Sequence, residues 1–124
     1  MSALTVFLGA GLGGVLRWLV GLAAVRAFGP AFPWGTLAVN VAGAFAMGLV
    51  ATVVLARMPS ETLRLFLATG LLGGFTTFSA FSLETAALVE RGAPGLAAAY
   101  VAASLALSFG AIAAGLVLGR ALAG

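Results

Sequence analysis

Residues 70–84 read GLLGGFTTFSAFSLE, and this stretch of an otherwise apolar chain holds Thr76, Thr77, Ser79 and Ser82, three phenylalanines and the carboxylate of Glu84. Phe78 and Phe81 are spaced i, i+3, interleaved with the serines. An aromatic ring is negative on its face and positive at its edge, so phenylalanine edges can meet an anion without offering it water or a counter-charge. Core packing is the plainer role for such a pair. Gly70, Gly73 and Gly74, followed by Thr76 and Thr77, weaken a helix here. Where a helix breaks inside a membrane, its freed backbone must be buried in protein or line a cavity. Freed carbonyls then gather a cation, and the N–H groups of the restarted helix favour an anion. Glu84 follows on the next turn, placed near a vestibule.

Three further sets of polar residues interrupt apolar sequence. Thr36 and Asn40 lie one helical turn apart and lead into Gly43 and Ala44. Asn40 carries two N–H donors and one acceptor, which serve either to tie helices together or to meet a passing anion. Tyr100, Ser104 and Ser108 follow the spacing i, i+4, i+8. A single serine in such a helix usually bonds its own backbone, whereas three hydroxyls on one face make a polar track. Arg17 shares a stripe with Gly9, Gly13 and Gly21 and therefore points toward protein. It pairs structurally with a helix end or a carboxylate, or stands as a positive charge near the entrance of an anion route.

The elements that must position these groups are membrane spans. Hydrophobic residues make up 63% of the 124, charged residues only 7%, and the mean hydropathy is +1.22. A soluble domain of this size cannot cover itself with so few polar residues. The chain has no Cys, His, Lys or Asp, which excludes disulfides, thiol chemistry, Cys/His metal sites and histidine-based triads. The net charge of +3 rests on six scattered arginines, without the clustering that nucleic acid or a polybasic lipid patch requires. No basic region precedes the first apolar run, so that run is expected to be retained as a span rather than removed as a signal peptide.

At about 20 residues per crossing, four spans fit: about 3–27, 34–56, 61–90 and 96–122, with Ser60 as N-cap of the third. The expected fold is all-α and integral to the membrane, a single domain over 1–124, with the third helix broken at mid-membrane. One side receives Arg57, Arg64 and Arg120, the other Arg26 and Arg91. This near-even split fits a weakly specified single topology or insertion in both orientations. Four helices are too few to enclose a wide pathway, so an oligomer is expected. Small residues at four-residue spacing (Gly9, Gly13 and Gly21; Ala44 and Gly48; Ala111, Gly115 and Gly119) supply close-packing surfaces, within one bundle or between copies.

GTLAVNVAGAF (35–45) together with GLLGGFTTFSAFSLE resembles the Fluc family of small fluoride channels, also called CrcB-type proteins. The resemblance runs over essentially the whole chain and is most specific in the Thr-Thr-Phe-Ser-x-Phe string. It implies an antiparallel, dual-topology homodimer in the cell inner membrane, among lipid and without nucleic acid, with two pores that conduct fluoride passively and lower cytoplasmic fluoride. By position it makes Asn40, Phe78, Phe81, Tyr100, Ser104 and Ser108 pore residues, with Thr77 and Ser79 in the polar string and Glu84 near one pore end. Arg17 takes the place of the family's first-span arginine, at a pore entrance or in a structural role. The resemblance further implies a structural sodium ion at the dimer centre, held by the backbone carbonyls of Gly73 and Thr76 from both subunits. Ala80 stands where many members have threonine, and Leu72 where a cysteine is frequent.

Fluoride is small and strongly hydrated, so a pore must replace its water with N–H and O–H donors and ring edges. A small dual-topology, proton-coupled multidrug exporter is the alternative. It needs a carboxylate within the membrane, for which Glu84 is the one candidate. A structural subunit needs no polar track. An intramembrane enzyme lacks any nucleophile–base pair here, so no enzymatic activity is expected.

Overall fold

The computed structural model describes residues 1–124. Four helices are long and apolar enough to cross a membrane: α1 (Ser2–Phe28), α2 (Trp34–Val54), α3 (Glu61–Glu90) and α4 (Pro94–Ala123). There are no strands. Each helix end has a local cause. Gly29 takes φ 78° and closes α1 with its N–H on the Val25 carbonyl at 2.8 Å, and Pro30 and Pro33 prevent continuation. The Ser60 hydroxyl accepts the Leu63 N–H at 3.2 Å and caps α3 as the sequence predicts. Pro94 opens α4 in the first turn, where no N–H is required.

Two helices carry π-helical segments, Val50–Val54 at the end of α2 and Leu65–Leu72 in α3. The interruption of α3 falls later than the glycines. Gly70, Gly73 and Gly74 stay helical, and the backbone leaves the helix at Thr76 (φ −85°, ψ 159°) before restarting at Ser79–Glu90. Gly70 and Gly74 serve close approach instead. A Cβ on Gly9 would stand 2.6 Å from the Phe66 carbonyl oxygen, and one on Gly70 would stand 3.1 Å from Gly9 Cα. Gly13 meets Leu71 and Gly74 meets Ala10 in the same way, backbone against backbone. The stripe on α1 is therefore consumed within the chain, Gly9 and Gly13 by the first half of α3 and Gly21 by Gly35 of α2.

The same logic joins α4 to α2. A Cβ on Gly48 would lie 2.7 Å from the Ile112 carbonyl, and Gly115 faces Phe45 while Gly119 faces Thr52. The bundle is thin, with 16 of 124 residues buried. Its exterior is apolar: Phe7, Trp18, Phe109 and Leu122 are all exposed. Such a surface is stable in lipid and not in water. The chain is a multi-pass membrane protein.

Candidate functional site

The break in α3 is held by side chains from two other helices. Asn40 of α2 donates from Nδ2 to the Thr77 carbonyl at 2.9 Å and accepts the Thr77 N–H on Oδ1 at 2.8 Å. Its amide thus takes the place of a neighbouring peptide and satisfies both polar groups of a residue that no helix serves. One N–H of Asn40 remains, and the residue lines a groove. The Thr77 hydroxyl accepts the Ala80 N–H at 3.1 Å, acting as a cap for the restarted helix. Thr76 turns its hydroxyl back to the Leu72 carbonyl at 3.0 Å. Gly43 makes room for it, since a Cβ there would overlap the Thr76 methyl group.

Arg17 closes the other end of the break. Its Nε donates to the Gly74 carbonyl at 3.2 Å, placing a cation on the C-terminal end of the first half of α3, where carbonyls accumulate. Of the two roles open to Arg17 in the sequence, the contact made is with a helix end. The neighbouring carbonyls of Gly73 and Thr76 receive no hydrogen bond from the turns of this chain, and Gly73 lies on the exposed side of α3. No cluster of three or more acidic or His/Cys side chains exists to hold a metal. A cation here would have to be bound by backbone oxygen.

Beside the break runs a groove of about 410 Å³ that brings together Asn40, Thr77, Phe78, Phe81, Ser104 and Ser108. Ser104 is 6% exposed, and its hydroxyl is the one buried side-chain polar atom without a hydrogen-bond partner. Phe78 and Phe81 meet as their spacing predicts, with ring centroids 5.5 Å apart. They differ in burial: Phe78, at the N-cap of the restarted helix, is 74% exposed, while Phe81 is buried.

Tyr100 does not line the groove. It is fully buried against Phe81, with centroids 5.1 Å apart, and its hydroxyl donates to Glu84 Oε1 at 3.1 Å. Glu84 forms no salt bridge, the one such pair being Arg64–Glu61 at 2.5 Å. Glu84 lines a second cavity of about 230 Å³ with Thr36, the loop between α1 and α2, and Arg91. Ser79 is exposed outside both cavities, sharing a 3.4 Å contact with the Thr77 hydroxyl. Sequence reasoning missed Met47 and Phe109 as groove residues, and nothing distinguishes them among so many apolar neighbours. Gly43 was legible only as a small residue, although its place one turn after Asn40 put it opposite the break.

The motifs assembled in this site recur in known proteins. The chain is 56% identical over 115 residues to a protein of Agrobacterium fabrum named fluoride-specific ion channel FluC, covering 92% of both chains. It is 53% identical over 124 residues to a protein of Rhizobium etli with the same name, covering 99% of both. A third protein of that name, from Rhodospirillum centenum, is 55% identical over 118 residues, 94% of both. Residues 4–116 match the family described as CrcB-like protein, Camphor Resistance (CrcB). With a broken third helix, a membrane-spanning bundle and this similarity over nearly its whole length, the chain belongs to the CrcB-like family.

Proposed function

We propose that this protein is a fluoride-selective channel of the cell inner membrane that conducts passively and lowers cytoplasmic fluoride. The observation that carries the reading is the Ser104 hydroxyl, buried and without a partner, on a residue that lines a groove with Asn40 and Phe81. A buried hydroxyl left unpaired costs free energy and is retained where something else supplies the partner. A small anion on the groove would accept from Ser104, Ser108 and the unspent N–H of Asn40, and would meet the edges of Phe78 and Phe81. The names of the relatives point to fluoride as that anion.

The groove is open along one side of the single chain, and Phe78 and Phe109 of its lining are exposed. A second copy covering that side would turn each groove into a closed pore, two per homodimer. The three-to-two division of span-end arginines supports an antiparallel pair of dual topology. The free carbonyls of Gly73 and Thr76 suit a hard monovalent cation, which takes oxygen ligands and needs no carboxylate. Sodium bound by these carbonyls from both subunits would add fixed positive charge at the dimer centre. Arg17 and Asn40 hold the backbone on either side of that position.

The test is fluoride and chloride efflux from proteoliposomes, followed with ion-selective electrodes. Electrogenic fluoride loss with chloride retained is expected. No fluoride loss from a folded, membrane-inserted protein would overturn the assignment. Retained transport in Glu84→Gln separates the channel from a proton-coupled multidrug exporter, which would fail without its carboxylate.

A further inference from the structure

The groove and the Glu84 cavity follow one another along the same two helices. On α2, Asn40 lines the groove and Thr36, one turn earlier, lines the cavity. On α3, Phe81 lines the groove, and Glu84, Leu88 and Arg91 line the cavity at successive turns toward the helix end. Direct contacts join the two linings: Phe81 packs on Tyr100, whose hydroxyl donates to Glu84. An ion that passes Phe81 toward this end of the bundle comes next to Glu84 and leaves past Arg91, at the C-cap of α3.

For an anion, the difficulty on that path is electrostatic. Glu84 is partly buried, and its one hydrogen bond comes from a neutral phenol. No cation is paired with it, since the one ion pair of the chain is Arg64–Glu61. A carboxylate lining a cavity of about 230 Å³ repels an anion more strongly than it would in open water. Arg91 is the one cation lining the same cavity; Arg26 and Glu90, the other charges at this end, line neither space. Seven residues, two turns on one face of the helix, put a rise of about 10 Å between Glu84 and Arg91. The two charges thus balance the cavity as a whole without closing on each other. Arg91 is exposed, and its Nη2 donates to the Ala31 carbonyl of the facing loop, which keeps the guanidinium on the cavity lining.

We propose that Arg91 is the charge that makes the Glu84 cavity passable to an anion, offsetting the carboxylate where the fluoride route ends on this side of the bundle. Its role rests on the channel reading for the ion and on the two charges of the lining for the sign of the effect. Without Arg91 the cavity carries a net negative charge, and fluoride is held back from it.

Arg91→Gln removes the charge and keeps an N–H for Ala31, so it separates electrostatics from the fastening of the loop. Fluoride efflux from proteoliposomes at low ionic strength should fall about three- to tenfold in this variant. Arg91→Lys, which keeps the charge, should stay near the wild type. In about 0.5 M of a bulky impermeant salt the loss should shrink to within about twofold, because an exposed charge is screened there. Adding Glu84→Gln to Arg91→Gln makes the cavity neutral again and should restore efflux to within about twofold of the wild type. Equal efflux of Arg91→Gln and wild type at low ionic strength overturns the proposal and leaves the channel standing. A loss that neither salt nor Glu84→Gln relieves assigns Arg91 to holding the loop, and overturns it as well. Fluoride retained by the wild type itself would sink the channel reading, and the role of Arg91 with it.

Discussion

Replacing Asn40 by Val removes an amide that exchanges two hydrogen bonds with one residue of the break, at 2.9 and 2.8 Å. No helical neighbour can take over, because Thr77 lies between the two halves of α3. Hydrogen bonds between membrane helices are worth about 0.6 kcal/mol on average and about 1.7 at most. Leaving a buried polar group unpaired adds about 1–3 kcal/mol for each group not reached by water. Asn40 lines the groove and is only partly buried, which argues against the full penalty. A loss of about 2–3 kcal/mol follows from the two bonds and partial desolvation. Thr85→Val is the internal control: its hydroxyl bonds only its own helix, to the Phe81 carbonyl at 2.8 Å, so its loss should stay within about 0.5 kcal/mol. Reversible unfolding of both variants in mixed micelles, alongside wild type, measures the difference. Equal stabilities for the two variants would refute the assignment of Asn40 as the clamp on the break.

Gly13→Ala should be strongly destabilising, by about 2 kcal/mol or more, since its Cβ would strike Leu71 and stand 2.8 Å from the Phe75 amide nitrogen. Gly14→Ala, with nothing within 4 Å, should be neutral or gain about 0.5–1 kcal/mol from helix propensity, and thermal unfolding of the pair decides. Phe78→Ile and Phe81→Ile should each slow fluoride efflux while leaving the size-exclusion profile of the folded protein unchanged. Unchanged flux in both would remove the rings from the route. Ser104→Ala should leave stability unchanged or slightly higher and cut fluoride efflux about tenfold, as for a lost hydrogen bond of about 1.4 kcal/mol to the ion. Equal efflux would show that nothing passes its hydroxyl.

The four spans were legible because hydrophobicity of this density admits no other solvent, and prolines and glycines mark where each helix stops. The break was legible as the stretch from Gly70 to Thr77, and it falls at the end of that stretch. Gly70, Gly73 and Gly74 signal weak helix and all stay helical, Gly70 and Gly74 in close packing against Gly9, Ala10 and Gly13. The chain departs instead where Thr76, Thr77 and Asn40 offer hydrogen bonds that a helix would otherwise provide. Propensity names the residues that tolerate a break, and tertiary partners choose among them. Helical periodicity put Phe78 beside Phe81, where it lies, but gave no sign that Phe78 stays exposed while Phe81 is buried. Tyr100, Ser104 and Ser108 lie along one helix as spaced, but the wall formed by Phe32, Phe81 and Tyr100 divides them between two environments. Contacts between distant segments, such as Arg91 with Ala31, leave no periodic trace.

The polar residues of the spans sort by what they have left to offer. Thr52, Ser82 and Thr85 return their hydroxyls to carbonyls of their own helices, and Arg17 gives its Nε to the end of the broken helix. These groups are occupied by the fold itself. Asn40 is half-occupied, with two bonds to the break and one N–H over. Ser104 is wholly unoccupied, although its burial makes an unpaired hydroxyl costly. Packing alone would favour alanine there, of nearly the same volume and without the polar atom. A hydroxyl kept at that cost, on a residue that lines the same groove as Asn40, is explained by an acceptor that visits the groove and does not belong to the chain. Opposite effects of Ser104→Ala on stability and flux are therefore the sharpest signature of an anion route in this fold, and parallel losses in both would assign Ser104 to structure.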